Sequence, residues 1–357
     1  MSSAQEPAAD RPTKAMVLAA GLGTRLRPLT ESVPKALLPI ASVPIIRYAL
    51  KLLASHGVTE VMVNLHWLPD EVEAELGRRA EGLQIHYSRE PTILGTGGAI
   101  RKVAGFFDRP FYVINADTVI DLDLGALLET HRRAEAIATM VLMERRKGDT
   151  YTPVGVDENG LVRQIGDHVA YTGPPLKQHL FTGVHLLEPE VIEYIPPDIE
   201  SCINRYAYPK VIAAGRRVAA HLYRGCWSDV GTLERYWQVN VDLLRRRTQL
   251  AFFDPLAQFA HTPRKDVDDV IRLGEKSFLG EGARLTPPVI AADGARILDG
   301  AEVGPEVVLG TGAVVGKGAR LAHAIVLPGA KIEANTEIDG AVIAKKMVVP
   351  LKTAPAS

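Results

Sequence analysis

From about residue 271 the chain places an aliphatic side chain at every sixth position: Leu273, Leu279, Leu285, Ala291, Ile297, Val303, Leu309, Val315, Leu321 and Leu327. Glycine follows immediately at 274, 280, 304, 310 and 316. A period of six fits neither the 3.6 residues of an α-helix turn nor the two of a flat strand. It fits a chain coiled into a prism, where every sixth side chain points inward and small residues turn the corners. After one residue is dropped beyond Leu327, Ile332 and Ile338 resume the pattern. Residues 271–350 are therefore expected to form a hexapeptide-repeat parallel β-helix. The alternative is a glycine-rich, loop-heavy β domain.

Upstream the periodicity changes. Short apolar runs at 15–19, 58–64, 83–87, 111–115 and 136–143 alternate with helical patterns at 44–55, 70–79 and 124–133, and 233–244 reads as an amphipathic helix. Such alternation predicts an α/β domain over 14–250: a Rossmann-like, mostly parallel mixed sheet with helices on both faces. Ligands of such sheets sit beyond the carboxyl ends of the strands. Residues 1–13 read as a disordered tail. Residues 251–270, with Pro255, Pro263 and a charge run, read as a linker.

Directly after the first predicted strand comes a glycine-rich run, Leu18, Ala19, Ala20, Gly21, Leu22, Gly23, Thr24 and Arg25, with Lys35 ten residues later and Pro39 closing the segment. Gly21 and Gly23 let the backbone turn so that N–H groups face phosphate oxygens. Arg25 can grip two phosphate oxygens, and Lys35 adds a compact positive charge. A Walker loop would end in Gly-Lys-Ser/Thr, and a dinucleotide fingerprint would place its third glycine where Leu26 stands. Neither fits, so a dehydrogenase is disfavoured.

These residues resemble the signature of the sugar-1-phosphate nucleotidyltransferases, the NDP-sugar pyrophosphorylase family. The layout is most similar to the mannose-1-phosphate guanylyltransferase branch, whose appended β-helix is left-handed. The resemblance implies transfer of a nucleotidyl group from an NTP to a sugar-1-phosphate, with release of pyrophosphate. It implies that Leu18, Ala19, Ala20, Gly21, Gly23 and Thr24 hold the nucleotide through their backbone, and that Arg25 and Lys35 contact phosphates. Asp117, after the strand ending at Asn115, and Asp229, in the run from Cys226 to Thr232, resemble the family's acidic positions. Together they would hold one Mg²⁺, a hard cation satisfied by few carboxylates plus phosphates and water. Catalysis would then rest on Arg25, Lys35 and Asp117 through positioning and charge stabilisation.

Glu90, Gly95 and Thr96 resemble the base-reading segment. An ionised glutamate only accepts hydrogen bonds. Guanine offers two adjacent donors and uracil one, which favours GTP and leaves UTP as the alternative. Gly155 and Thr182 fall where relatives contact the sugar. Two positions depart from the family: Ile165, Gly166 and Asp167 stand where many relatives carry Glu-Lys, and Thr182 replaces a frequent asparagine. The sugar is therefore left open among mannose-, heptose-, glucose-, N-acetylhexosamine- and muramic acid-type phosphates. The missing lysine also admits a non-enzymatic alternative, a nucleotide-sugar-binding regulatory subunit.

A formal net charge of -1 without a basic stripe makes nucleic acid an unexpected partner. No apolar run reaches the roughly 18 residues of a membrane span. Two cysteines without metal-ligand spacing, and no signal-peptide pattern, point to the cytoplasm. The prism faces lead us to expect a homo-oligomer.

Overall fold

The computed structural model describes residues 11–146, 148–197, 199–261, 270–345 and 347–351. Residues 1–10 of the predicted tail and 262–269 of the predicted linker lie outside them. The chain divides into two compact units. One takes residues up to Leu22 together with Ile46–Trp227, and the other takes Gly23–Ile45 together with Ser228 onward.

The first unit is a ten-stranded mixed sheet. Its centre is parallel: β1 (Lys14–Leu18) lies between β2 (Glu60–Leu65) and β4 (Phe111–Asn115), and β3 (Leu83–Arg89) extends it beyond β2. These four strands follow the predicted apolar runs, with no bound moved by more than two residues. The remainder departs from a simple parallel alternation. β8 (Lys177–Leu187) runs antiparallel to β4, to β5 (Ala138–Glu144) and to β6 (Val154–Val156). β7 (Val162–Ile165) pairs antiparallel with β6, and β9 (Val218–Leu222) pairs parallel with β5.

Helices α1 (Ile45–Ser55), α2 (Pro69–Leu76), α3 (Gly95–Lys102), α4 (Leu124–Arg133) and α5 (Tyr208–Ala213) connect these strands. α4 starts where it does because the Asp123 carboxylate accepts the N–H groups of Gly125 and Ala126 at 2.8 and 3.2 Å. It ends on His131, Arg132 and Arg133, the charge sign that a helix C-terminus favours. Met16, Val113, Met140, Leu142, Val154, Tyr208 and Val218 belong to the apolar core of this unit.

In the second unit, three parallel ladders stack at intervals of 18 residues. Ile271 faces Val289, which faces Val307; Phe278 faces Arg296, then Val314; Arg284 faces Glu302, then Arg320. Eighteen residues divided over three faces is the hexad read from sequence, and Ala291, Ile297, Val303, Leu309, Val315 and Leu321 fill the interior. The phase slip falls earlier than the sequence places it. Val303 pairs with Leu321 at an interval of 18, but Val307 pairs with Ala324 and Leu309 with Val326 at 17. The residue is lost at 322–323, inside the strand Arg320–Val326 where His323 takes φ +47°, so Val326 rather than Leu327 points inward. Counting aliphatic residues could not distinguish these two neighbours, since both are apolar.

Helix α6 (Leu233–Leu244) ties the segment 23–45 into this unit. The Tyr236 hydroxyl donates to the Pro39 carbonyl at 2.7 Å, and Asn240 Oδ1 accepts the Ala41 N–H at 2.8 Å. These bonds join residues 23–45 to residues 228–250; compact packing groups both with the β-helix, whereas the sequence reading places them in the α/β domain.

Leu309 is fully buried in the prism. Leu309→Ala is expected to destabilise the second unit by about 2–5 kcal/mol, measured as a shift of its denaturant midpoint with the far-UV spectrum of the folded state unchanged.

Candidate active site

The first cluster forms at the carboxyl ends of β1, β2 and β4, in the first unit. Register places Leu18 beside both Asn64 and Asn115. The Ala116 N–H donates to the Leu18 carbonyl at 3.0 Å, so the turn that carries Asp117 leaves the sheet next to the first signature residue. The Ala19 N–H donates to Asn64 Oδ1 at 2.8 Å, and Asn64 Nδ2 donates to Glu90 Oε1 at 2.8 Å. Glu90 Oε2 accepts the Leu94 N–H at 3.0 Å. Asn64 and Glu90 are each only 3% exposed. A carboxylate so buried is tolerated only with donors around it. Both oxygens of Glu90, read from sequence as facing a base, are thus engaged by the protein. They fix the 90–94 segment and, through Asn64, the backbone of Ala19. Ala20 is buried and Gly21 exposed at the tip of the loop.

Gly95 and Thr96 have a comparable structural task. Gly95 sits at φ +70°, and a β-carbon there would lie 2.6 Å from the Ser201 carbonyl oxygen. No other residue fits without moving that backbone. Thr96 Oγ1 accepts the Ile203 N–H at 3.0 Å, while the Gly97 and Gly98 N–H groups donate to Ser201 O at 2.7 and 3.2 Å. Three glycines open α3 despite their poor helix propensity because a second backbone segment occupies their side-chain space.

That segment, 201–205, forms one wall of a pocket of about 210 Å³, lined by Tyr151, Thr152, Val154, Ile165, His168, Phe181, Cys202, Asn204 and Arg205. The two residues expected to touch sugar each lie one position from a lining residue. Gly155 follows Val154, and its side-chain direction meets Leu176, Gln164 and Gln178 instead. Thr182 follows Phe181; it is 1% exposed, and its hydroxyl donates to the Val141 carbonyl at 2.9 Å. Successive strand residues face opposite sides, so the side-chain directions at 155 and 182 differ from those of the lining residues Val154 and Phe181.

The Thr182 carbonyl accepts the Trp227 indole N–H at 2.8 Å, and the Trp227 ring meets Tyr151 edge-on at 5.5 Å. Behind Phe181, the His185 imidazole is 4.4 Å away and its Nδ1 accepts the Tyr208 hydroxyl at 2.6 Å. Burial pushes His185 down to about 3, so the ring is neutral at physiological pH and serves packing. Lys177, a candidate substitute for the missing lysine, does not line this pocket; His168 and Arg205 do. Residues 202–205 carry no motif that sequence reading could have used.

The second cluster belongs to the second unit. The loop after Gly23 closes on itself: the Leu26 N–H donates to Gly23 O at 2.8 Å, and so does the Thr30 hydroxyl at 2.9 Å. Gly23 has φ +62°, and a β-carbon there would lie 2.8 Å from Thr30 and 3.1 Å from the Lys35 Cβ. Thr24 and Arg25 start the short helical turn that follows, and both are exposed. Arg25 reaches Gly231. A β-carbon at 231 would lie 3.3 Å from both terminal guanidinium nitrogens and 2.9 Å from Asp229 Oδ2. Arg235 donates to Asp229 Oδ1 at 2.6 Å. One carboxylate therefore stands among two guanidinium groups, an arrangement with spare positive charge for an anion.

No group of three or more His, Cys, Asp or Glu side chains that could hold a metal occurs among the described residues.

Residues 14–246 match the nucleotidyl transferase family, and residues 285–352 match the GMPPB C-terminal domain. The UTP–glucose-1-phosphate uridylyltransferase of Synechocystis sp. is 36% identical over 249 residues, spanning 65% of this chain and 64% of that enzyme. The mannose-1-phosphate guanylyltransferase of Mycobacterium tuberculosis is 32% identical over 295 residues, 80% of each chain. A probable mannose-1-phosphate guanylyltransferase 3 of Oryza sativa subsp. japonica is 30% identical over 80% of this chain and 78% of its own. The crystal structure of HddC from Yersinia pseudotuberculosis, complexed with GMP-PN, shares the fold. Its TM-score is 0.55 at 23% identity, covering 64% of this chain and 99% of that one. The signature loop, the strand-end cluster around Leu18 and the appended prism therefore have one common explanation: the chain belongs to the nucleotidyl transferase family.

Proposed function

We propose that this protein transfers a guanylyl group from GTP to a mannose- or heptose-like sugar-1-phosphate, giving a nucleotide sugar and pyrophosphate. The observation that carries the reading is the extent of the match. Relatives aligned over about four fifths of the chain, reaching into the β-helix, are named mannose-1-phosphate guanylyltransferases, whereas the uridylyltransferase aligns over 65%. That uridylyltransferase is also the more identical, and it supports UTP with a glucose-type phosphate as the second reading.

In the proposed reaction a phosphate oxygen of the sugar-1-phosphate attacks the α-phosphorus. A new P–O bond forms as the bond to pyrophosphate breaks. The backbone from Leu18 to Thr24 holds the nucleotide, with Ala19 fixed by Asn64. Arg25 and Lys35 take the charge that moves onto pyrophosphate. Nucleotidyltransferases of this family generally use a divalent metal. For Mg²⁺, the proposed ligands are Asp117 and Asp229, an assignment resting on their sequence contexts, and the ion would offset phosphate repulsion. Arg205 supplies positive charge at the pocket proposed to hold the sugar, taking the place of the absent lysine. Gly155 and Thr182 support that pocket through strand packing, and Gly95 and Thr96 support it through the 201–203 segment.

No helix among the described residues is long and apolar enough to cross a membrane, and Cys202 and Cys226 are both free thiols. A reducing cytoplasm is the compartment these fit. Phe278, Leu279 and Val348 are each about half exposed on the β-helix, which supports the expectation of a homo-oligomer.

Pyrophosphate release should be measured for GTP, UTP, ATP and dTTP against mannose-, heptose-, glucose- and N-acetylhexosamine-1-phosphates, with Mg²⁺ and with EDTA. Turnover is expected with GTP and a mannose- or heptose-type phosphate, and EDTA should abolish it. Turnover with UTP alone would select the second reading, and none with any pair would support a regulatory subunit. Arg25→Ala and Lys35→Ala should each lower kcat by on the order of 10²-fold or more at unchanged Tm. Asn64→Ala strands a buried Glu90 oxygen and the Ala19 N–H. It should cost about 1–3 kcal/mol in denaturant unfolding and raise KM for the nucleotide.

A further inference from the structure

The β-helix is closed at one end and open at the other. One ladder runs through Leu279, Ile297, Val315 and Ile332, each at the inward position of its hexad. Ile297, Val315 and Ile332 are 1%, 0% and 4% exposed, whereas Leu279, at the amino-terminal end, is 47% exposed. Leu273 and Leu285 hold the same position on the other two faces of that first coil and are half-buried. The carboxyl-terminal end is covered: the strand Met347–Pro350 folds back antiparallel on Glu337–Ala344, and the inward Ile343 is buried.

The open end also presents strand edges. Phe278–Leu279 and Arg284–Leu285 are the terminal members of their ladders and pair on one side only among the described residues. The third face differs, since Ile271–Leu273 is paired antiparallel with Ala260–His261. An edge strand is a template for another strand, and natural edges are normally blunted by charge. Phe278–Leu279 carries none, and Phe278 is as exposed as Leu279. Terminal repeats of stacked coils ordinarily end on a polar cap, because a bare end opens the interior column to water.

Composition and charge indicate what covers this end. Residues 1–10, 262–269 and 352–357 lie outside the described residues, and none of these segments holds two adjacent large apolar side chains. They lack the apolar surface to bury Phe278 and Leu279. Around these two residues stand Glu275, Lys276, Glu281 and Arg284, all exposed: two acids and two bases without net charge. A surface that meets its own copy across a two-fold axis needs both signs, since a rim of one sign repels itself. We propose that two copies of this chain associate through the amino-terminal ends of their β-helices, about a two-fold axis that buries Phe278 and Leu279 of each copy against the same residues of the other. This rests on the homo-oligomer reading given above and names its contact. A prism end with three sides of six residues is smaller than a standard interface, so the pairing has an expected dissociation constant in the micromolar range.

Sedimentation equilibrium of the full chain across the micromolar range, in low and high salt, tests the contact. Wild type is expected to reach an even multiple of the 38.7 kDa chain mass at the upper concentrations. Leu279→Glu should raise the dissociation constant about 100-fold or more, since a charge is buried twice across the axis. The mass should halve while the far-UV spectrum, Tm and turnover per chain stay unchanged. Glu275→Lys with Glu281→Lys makes the rim basic, and Lys276→Glu with Arg284→Glu makes it acidic. Each double variant alone should lose the pairing in low salt, and an equimolar mixture of the two should regain it.

Wild type that stays monomeric at every concentration overturns the inference and the homo-oligomer reading together. A folded Leu279→Glu variant with the wild-type mass overturns the inference alone and leaves that reading standing. If Leu279→Glu does not fold, the rim variants decide. Double variants that each keep the wild-type mass, or a mixture that fails to pair, overturn the inference equally.

Discussion

A buried carboxylate organises the first unit. Glu90 is nearly inaccessible, and each of its oxygens has a protein donor, Asn64 on one side and the Leu94 N–H on the other. Asn64 passes the constraint on to Ala19, the residue at which the glycine-rich loop leaves the sheet. Hydrogen bonds to a charged acceptor in a low-dielectric interior are among the stronger polar interactions, and removing one partner leaves the other stranded. The loop backbone is thereby set before any ligand arrives. That is the condition under which fixed N–H groups stabilise a triphosphate without first reorganising.

The same logic extends from Leu94 to the pocket wall. The glycines of α3 exist to admit the Ser201 backbone, and Thr96 spends its oxygen on Ile203. A segment that sequence alone assigns to base recognition is, in the fold, a brace between the strand-end cluster and the pocket at 201–205. Both regions lie inside one compact unit, joined through the Glu90 and Thr96 side chains and the Gly97 and Gly98 N–H groups on Ser201 O. The second unit has its own constraint. Its prism repeats a single interior position in every hexad, and Thr30 and Tyr236 lock the loop after Gly23 and helix α6 within that body.

Legibility varied with the length and regularity of the signal. The hexads were readable because ten aliphatics at one spacing leave no other solution. The slip was misplaced by one hexad because Val326 and Leu327 are both apolar and only the ladder separates them. The parallel centre was readable from apolar runs, but the antiparallel β8, eleven residues long, was not, since its polar start and histidines break the pattern. For the pocket, Gly155 and Thr182 each lie one position from a residue that lines it, Val154 and Phe181. Period-two alternation makes adjacent residues opposites, and absolute phase is set by what the strand packs against.

The sequence by itself determined the chemistry available: a glycine turn with Arg25 and Lys35, acids at 117 and 229, and a sixfold coil. These follow from residue type and spacing, which are properties of the chain before it folds. Tertiary structure decided which polar groups are already spent on the protein and which still need a partner. Glu90, Thr96 and Thr182 are engaged internally, while Asn204 Oδ1 has no partner among the described residues. Hydrogen-bond satisfaction depends on groups brought together from distant parts of the chain, and no local pattern records it.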